Sequence, residues 1–260
     1  MTRQTIPRSK ILVCAATLTE LETFGLGDAV AVTGRVDSTL ANRLPLFQIP
    51  EGYAAVTGVG IPLTILNVVA VINELKLRQF NPTQIINMGI AGAYAGTGWG
   101  IGEVVVGETD QFADLGMEIA DEDRPREDHS GFTPLADFPF ADDVHREPFK
   151  LWTPDWALGE GAAPVRRGHG ATVNRCTGTD STGAQRRAQF GVDFETMEGA
   201  AVALAGRAEG IQVTQIRAIS NFAARRNMRP ENIRAALDAL RAFWATHRAH
   251  LTESTEGAVG

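Results

Sequence analysis

Along the chain, the apolar positions switch several times between short runs and helical spacing. The run at 10–16 (KILVCAA) predicts a buried strand, and 29–33 and 46–49 predict two shorter ones. Another strand is expected at 53–59 (YAAVTGV), closed by Gly58 and Gly60. From 61 to 77 the period becomes helical, with Ile65, Val68, Val69, Ile72 and Leu75 on one face. Asn81-Pro82 breaks the chain before a strand at 84–88 (QIINM), and 103–107 (EVVVG) is the next.

The stretch 117–164 is rich in Asp, Glu, Pro and Phe with little periodicity, and reads as a loop-rich insertion over the core. Strand 165–173, helices 181–190 and 197–208, and strand 212–219 (QVTQIRAI) follow. Arg229-Pro230-Glu231 opens a last helix, in which Ile233, Leu237, Leu240 and Trp244 should face the core. The polar, glycine-rich tail from 253 is expected to fray. Strand and helix alternate with few hairpin signals. The fold class is therefore α/β, a three-layer αβα sandwich with a central, largely parallel mixed sheet. No repeat or linker divides the chain, so one domain over 1–260 is expected.

Composition adds exclusions. The 260 residues are 44% hydrophobic and 21% charged, the make-up of a soluble globular protein. A net charge of -7 opposes nucleic-acid binding, which needs a basic face. No run approaches the roughly 18 apolar residues of a membrane span, and the polar, basic start is not followed by a signal-peptide run. Two cysteines, Cys14 and Cys176, make no disulfide framework and suggest a reducing, cytoplasmic setting.

Several motifs fail. Gly58-Val59-Gly60 lacks the third glycine of a dinucleotide fingerprint and reads as a tight strand-to-helix turn. The glycines at 96–102 lack the Lys-Ser/Thr end of a phosphate loop and read as a turn. His129, His145, His169, His247 and His250 form no metal-ligand spacing; His247 and His250 read as solvated cations near a helix end. No G-x-S-x-G elbow is present. No metal or organic cofactor is implied.

Three segments instead place polar groups at strand ends, where open α/β sheets hold ligands. They are Ala16-Thr17-Leu18-Thr19-Glu20, Asn87-Met88-Gly89-Ile90-Ala91-Gly92, and the pair Thr196-Met197-Glu198-Gly199 with Arg217-Ala218-Ile219-Ser220-Asn221. Singly, each has a plain structural reading: Glu20 and Glu198 as first-turn helix carboxylates, Gly89 and Gly92 as a turn, Asn221 as a cap. In this order the combination resembles the purine nucleoside phosphorylase and nucleosidase superfamily. Within it, the chain is similar to the nucleosidase branch that includes methylthioadenosine/adenosylhomocysteine nucleosidases and the futalosine hydrolases.

The resemblance implies N-glycosidic hydrolysis of a purine nucleoside. In the futalosine hydrolases this belongs to an alternative route to menaquinone. It assigns the water to Glu20 and the ribose 2′ and 3′ hydroxyls to Glu198. Met197 would pack on the sugar, the Ile90-Ala91-Gly92 turn would border base and water, and Ser220 and Asn221 would face the purine. It also places Thr172, Asn174 and Thr177 on a pocket-lining segment and implies a homo-oligomer. Arg175 and Arg226 are candidates for a carboxylate on a 5′ extension.

The residue types suit this chemistry. Cleavage builds positive charge on the ribose and negative charge on the purine, so a base for water and a donor at the leaving group are both needed. An amide at Asn221 offers a donor to O6 and an acceptor to a protonated N7, which fits a 6-oxopurine such as hypoxanthine. Adenine-releasing relatives carry an Asp there. Three alternatives stay open: a phosphorylase, which would need an anion site and a nucleophile's place not occupied by Glu20; an adenine-releasing nucleosidase; and a nucleoside sensor without turnover.

Overall fold

The computed structural model describes residues 10–26, 29–32, 45–120, 123, 131–139, 146–153, 165–225 and 228–253. Arg226, His129, His145 and the tail 254–260 lie outside the described residues, as do the side chains of 249–253, His250 among them.

The first strand, β1 (Ile11–Ala15), is buried throughout, as its apolar run requires. It lies between β4 (Gly52–Val56) and β5 (Gln84–Ala93), parallel to both. Beyond β4 come β3 (Leu46–Ile49) and β2 (Val30–Ala31), both antiparallel to their neighbours. On the other side β5 pairs in parallel with β12 (Gln212–Phe222). The central four strands, β4-β1-β5-β12, are thus all parallel. Their near-continuous burial explains why they read as apolar runs rather than alternating ones.

Past β12 the sheet turns back on itself. Strand β6 (Val104–Phe112) is antiparallel to β12 and parallel to β10 (Arg166–Thr172). Next, β11 (Phe194–Thr196) pairs with β10 and then, antiparallel, with β5. Strands β5, β12, β6, β10 and β11 therefore close a ring. Within 117–164, the described residues hold short strands: β7 (Gly116–Glu118) pairs β8 (Phe132–Pro134), and β9 (Phe149–Lys150) pairs β6.

Five α-helices flank the sheet among the described residues. They are α1 (Leu18–Leu21), α2 (Ile61–Leu77), α3 (Asp180–Phe190), α4 (Gly199–Ala208) and α5 (Pro230–Glu253). One apolar cluster joins α2 and α4 to the sheet through Val68, Ile72, Leu75, Ala200 and Val202. A second joins α5 to the opposite face through Ala236, Leu240, Phe243 and Trp244. These are the outer layers of the expected sandwich around a mixed central sheet. None of the described helices is long and apolar enough to cross a membrane.

Two readings need correction. Ile233 and Leu237 are only half-buried and line a cavity, while Leu240 and Trp244 enter the core. His247 is not solvated: it is buried, its ring stacked on Phe243 at 4.2 Å, with Nδ1 2.9 Å from the Phe243 carbonyl. The amphipathic stripe of α5 continues one turn further than the apolar residues alone indicate.

Candidate active site

The parallel strands β1, β5 and β12 end on one side of the sheet, and a cavity of about 450 Å³ opens there. Its wall includes Glu20, Ile90, Ala91, Gly92, Thr177, Met197, Glu198, Ser220 and Asn221.

Glu20 reaches the cavity from a single turn of helix. Thr17 is the N-cap of α1, and Glu20 completes a capping box with it. The Thr17 backbone N–H donates to Glu20 Oε2 at 3.0 Å and the Thr17 hydroxyl at 2.9 Å. The Glu20 N–H returns to Thr17 Oγ1 at 3.2 Å. From β5, the Ile90 N–H donates to Glu20 Oε1 at 3.0 Å. A carboxylate has about four lone-pair sites. Three are occupied here, which leaves one on Oε1.

Ile90, Ala91 and Gly92 do not form the expected turn; β5 runs on through Ala93. The two glycines that read as punctuation are places where neighbouring strands send side chains across the backbone. A Cβ on Gly89 would lie 2.4 Å from Arg217 Nη1 and 2.6 Å from Glu20 Oε1. On Gly92 it would lie 2.8 Å from Asn221 Nδ2. The missing side chains let Arg217, Glu20 and Asn221 crowd one stretch of strand.

Glu198 precedes α4 as its N-cap, so the helix begins two residues later than the apolar spacing predicts. Its side chain turns away from its own helix. Oε1 accepts the Gly60 N–H at 3.2 Å, and Oε2 lies 3.7 Å from Arg217 Nη1. The Gly58-Val59-Gly60 segment is the tight turn expected, with positive φ at both glycines, and it also presents that N–H to the site. Burial pushes the Glu198 pKa up; Arg217 and the Gly60 N–H oppose the rise, and the Glu20 charge adds to it.

Arg217 belongs to the motif but had no role from the sequence. It is fully buried on β12 beside Glu198, and none of its three guanidinium nitrogens has a hydrogen-bond partner among the described residues. One signal could have found it: an arginine inside an otherwise apolar strand must answer a buried negative charge.

Ser220 and Asn221 close the other flank. The Ser220 hydroxyl lies 2.9 Å from Asn221 Oδ1, its acceptor, and Asn221 Nδ2 donates to the Phe222 carbonyl at 3.2 Å. One amide hydrogen and one oxygen lone pair remain for a ligand.

Thr177 lines the cavity, but its polar atoms are committed elsewhere. Its N–H donates to Glu195 Oε1 at 2.7 Å and its hydroxyl to Glu195 Oε2 at 2.6 Å. Tyr94 and Arg186 both donate to the same Glu195 Oε2 at 2.9 Å. Asn174 caps α2 through the Ile61 N–H, and Thr172 is buried behind the wall. Arg175 is exposed and off the cavity wall. Unforeseen wall residues are Val59, Cys176, Glu195, Phe222 and Met228, with Ile233 and Leu237 from α5.

Residues 50–253 match the model of the phosphorylase superfamily, and the chain belongs to that superfamily. Over 217 residues it is 32% identical to the futalosine hydrolase of Streptomyces coelicolor, covering 82% of this chain and 86% of that one. Two solved structures share the fold. A futalosine hydrolase mutant of Helicobacter pylori superposes with a TM-score of 0.69 at 15% identity, covering 93% of this chain and 99% of that one. The 5′-methylthioadenosine/S-adenosylhomocysteine nucleosidase of Neisseria meningitidis, in complex with methylthio-immucillin-A, gives 0.66 at 20% identity, covering 94% and 98%.

Proposed function

We propose that this protein hydrolyses the N-glycosidic bond of a 6-oxopurine nucleoside, and that its substrate is futalosine, from which it releases hypoxanthine. The observation that carries the reading is the pairing of two buried carboxylates, Glu20 and Glu198, with an amide, Asn221, on one cavity wall. Similarity to the futalosine hydrolase of Streptomyces coelicolor supports the choice of substrate.

Glu20 acts as the general base. Thr17 and the Ile90 N–H fix its carboxylate, and the remaining Oε1 lone pair takes a proton from the attacking water. Glu198 accepts the ribose 2′ and 3′ hydroxyls, while Met197 packs against the sugar. A carboxylate whose charge burial disfavours gains most from such donors, and the gain rises as positive charge develops on the ribose. Arg217 counters the charge of the carboxylates beside it.

Asn221 meets the departing base. Its free amide hydrogen donates to O6, and its oxygen accepts from N7 once N7 has taken a proton from solvent, with Ser220 holding the amide's orientation. Adenine would set its 6-amino donor against the amide donor. Ile90, Ala91 and Gly92 flank the base as flat backbone. Thr177 supplies shape rather than hydrogen bonds, because its N–H and hydroxyl already serve Glu195.

The test is purine release from purified protein in phosphate-free buffer, comparing futalosine, inosine, methylthioadenosine and adenosylhomocysteine. Hypoxanthine from futalosine in preference to the others is expected. Adenine release, or turnover only after phosphate is added, would overturn the reading.

A further inference from the structure

Behind the cavity wall sits a charged group that the reaction as described does not use. Asp110, on β6, is fully buried and does not line the cavity. Its Oδ1 accepts the Thr172 hydroxyl at 2.7 Å, and its Oδ2 accepts Gln215 Nε2–H at 2.7 Å. Thr172 Oγ1 in turn accepts the Ala200 N–H at 2.7 Å. One hydroxyl therefore links this carboxylate to the first turn of α4, the helix whose N-cap is Glu198.

The fold makes room for the group. A Cβ on Gly199 would lie 2.0 Å from Asp110 Oδ2, and one on Gly170 would lie 2.4 Å from it. The charge acting on it is that of Arg217, the same guanidinium that lies 3.7 Å from Glu198. Burial pushes the Asp110 pKa up to about 6, against the hydrogen bonds from Gln215 and Thr172 and the Arg217 charge. An ionised carboxylate there destabilises the fold near neutrality. Both of its oxygens accept, so an amide in its place would turn a donor towards either Thr172 or Gln215 and break the link to α4.

We propose that Asp110 is a positioning residue for glycosidic cleavage, fixing the first turn of α4 through Thr172 and the facing charge through Arg217, so that Glu198 meets the ribose in one orientation. This rests on the assignment of Glu198 to the ribose hydroxyls. Ala200 would otherwise carry a buried helix-start N–H with no acceptor. Arg217 would otherwise face Glu198 without a counter-charge behind it.

The experiment compares wild type with Asp110→Asn, Thr172→Val and Thr172→Ser. One readout is the affinity ratio between a non-hydrolysable 6-oxopurine C-nucleoside and its 2′,3′-dideoxy form. The others are kcat, KM and the thermal midpoint. The wild-type ratio should be large, because hydrogen bonds to a charged group are worth about tenfold to a hundredfold. Asp110→Asn, which sets an amide donor against Thr172 or Gln215, should lower that ratio and kcat by about tenfold or more. Thr172→Val should lower the ratio as well, and Thr172→Ser, which keeps the hydroxyl, should restore it.

A thermal midpoint that falls in Asp110→Asn with the ratio and kcat unchanged would overturn the proposal and make Asp110 a structural group. A wild type that does not distinguish the two ligands would remove the ribose role of Glu198, and the proposal with it. Absence of phosphate-independent turnover in a wild type that does distinguish them would instead defeat the hydrolase reading. The binding ratios of the variants would still decide the role of Asp110.

Discussion

Glu20 and Glu198 form the floor of the cavity with Arg217 buried behind them, each less than a tenth exposed and each delivered by a different element. At the rim, Phe222 is 38% and Met228 41% exposed, beside the half-buried Ile233 and Leu237 of α5. The floor is fixed by backbone N–H groups, a capping box and glycines with no room for a side chain. The rim carries larger, more exposed apolar side chains. Under the proposed function such a division would separate two tasks: charge on the floor would govern the rate of bond cleavage, and apolar area at the rim would govern which nucleosides are held.

Substitutions can break that division or sharpen it. Glu20→Gln removes the proposed base and should lower kcat by about a hundredfold to ten-thousandfold. Nucleoside binding, followed by calorimetry, should persist; a matching loss of binding would mean that the floor also sets affinity. Gly89→Ala puts a methyl into the space of Arg217 Nη1 and Glu20 Oε1 and should cost about a hundredfold in kcat. Steady-state purine release checks it, with KM expected to move little. Asn221→Asp, between floor and rim, should shift preference from hypoxanthine towards adenine nucleosides by about tenfold, read as the ratio of kcat/KM values.

Leu237→Ala should raise KM a few-fold for a substrate with an apolar 5′ extension and less for inosine, in line with about 1 kcal/mol of lost apolar contact. An equal change in kcat would show that the rim reaches the chemistry. The smallest effect is on stability. The Asp110 pKa lies above its unfolded value of 3.8, at about 6, so the folded state binds the proton more tightly. Its contribution therefore favours folding below pH 4 and is lost as pH rises to about 6. The thermal midpoint of wild type should therefore fall relative to that of Asp110→Asn as pH rises from 4 to 6, with little further change in the difference above that.

Where local periodicity and tertiary demand agree, the sequence was legible. Helix α2 occupies Ile61–Leu77, the span its apolar spacing predicts, and α3 begins one residue before its predicted start. The apolar run of β5 predicts an end at Met88, yet the strand runs to Ala93 because β12 and β11 pair with the part beyond. Glycine in a single sequence signals a turn. That Gly89 and Gly92 instead make room for Arg217 and Asn221 follows from strands far away in the chain. Arg217 escaped a role for the same reason: its partners, Glu198 and Asp110, come from other elements. Of Thr172, Asn174 and Thr177, expected on a pocket-lining segment, only Thr177 is on the cavity wall. Only the three-dimensional neighbours show that Asn174 caps a helix and that Thr177 serves Glu195.

The capping box at Thr17 and Glu20 has a consequence for how the chain can vary. One oxygen of Glu20 closes its own helix and the other is tied to β5, so the side chain is read twice by every substitution. A shorter acid would keep the charge and lose the reach; an amide would keep the reach and lose the charge. Position 17 is held almost as narrowly, since a hydroxyl must both give to and receive from residue 20. In a saturation library selected for activity, 17 and 20 should therefore behave as a single inherited unit, tolerating Ser at the first and essentially nothing at the second.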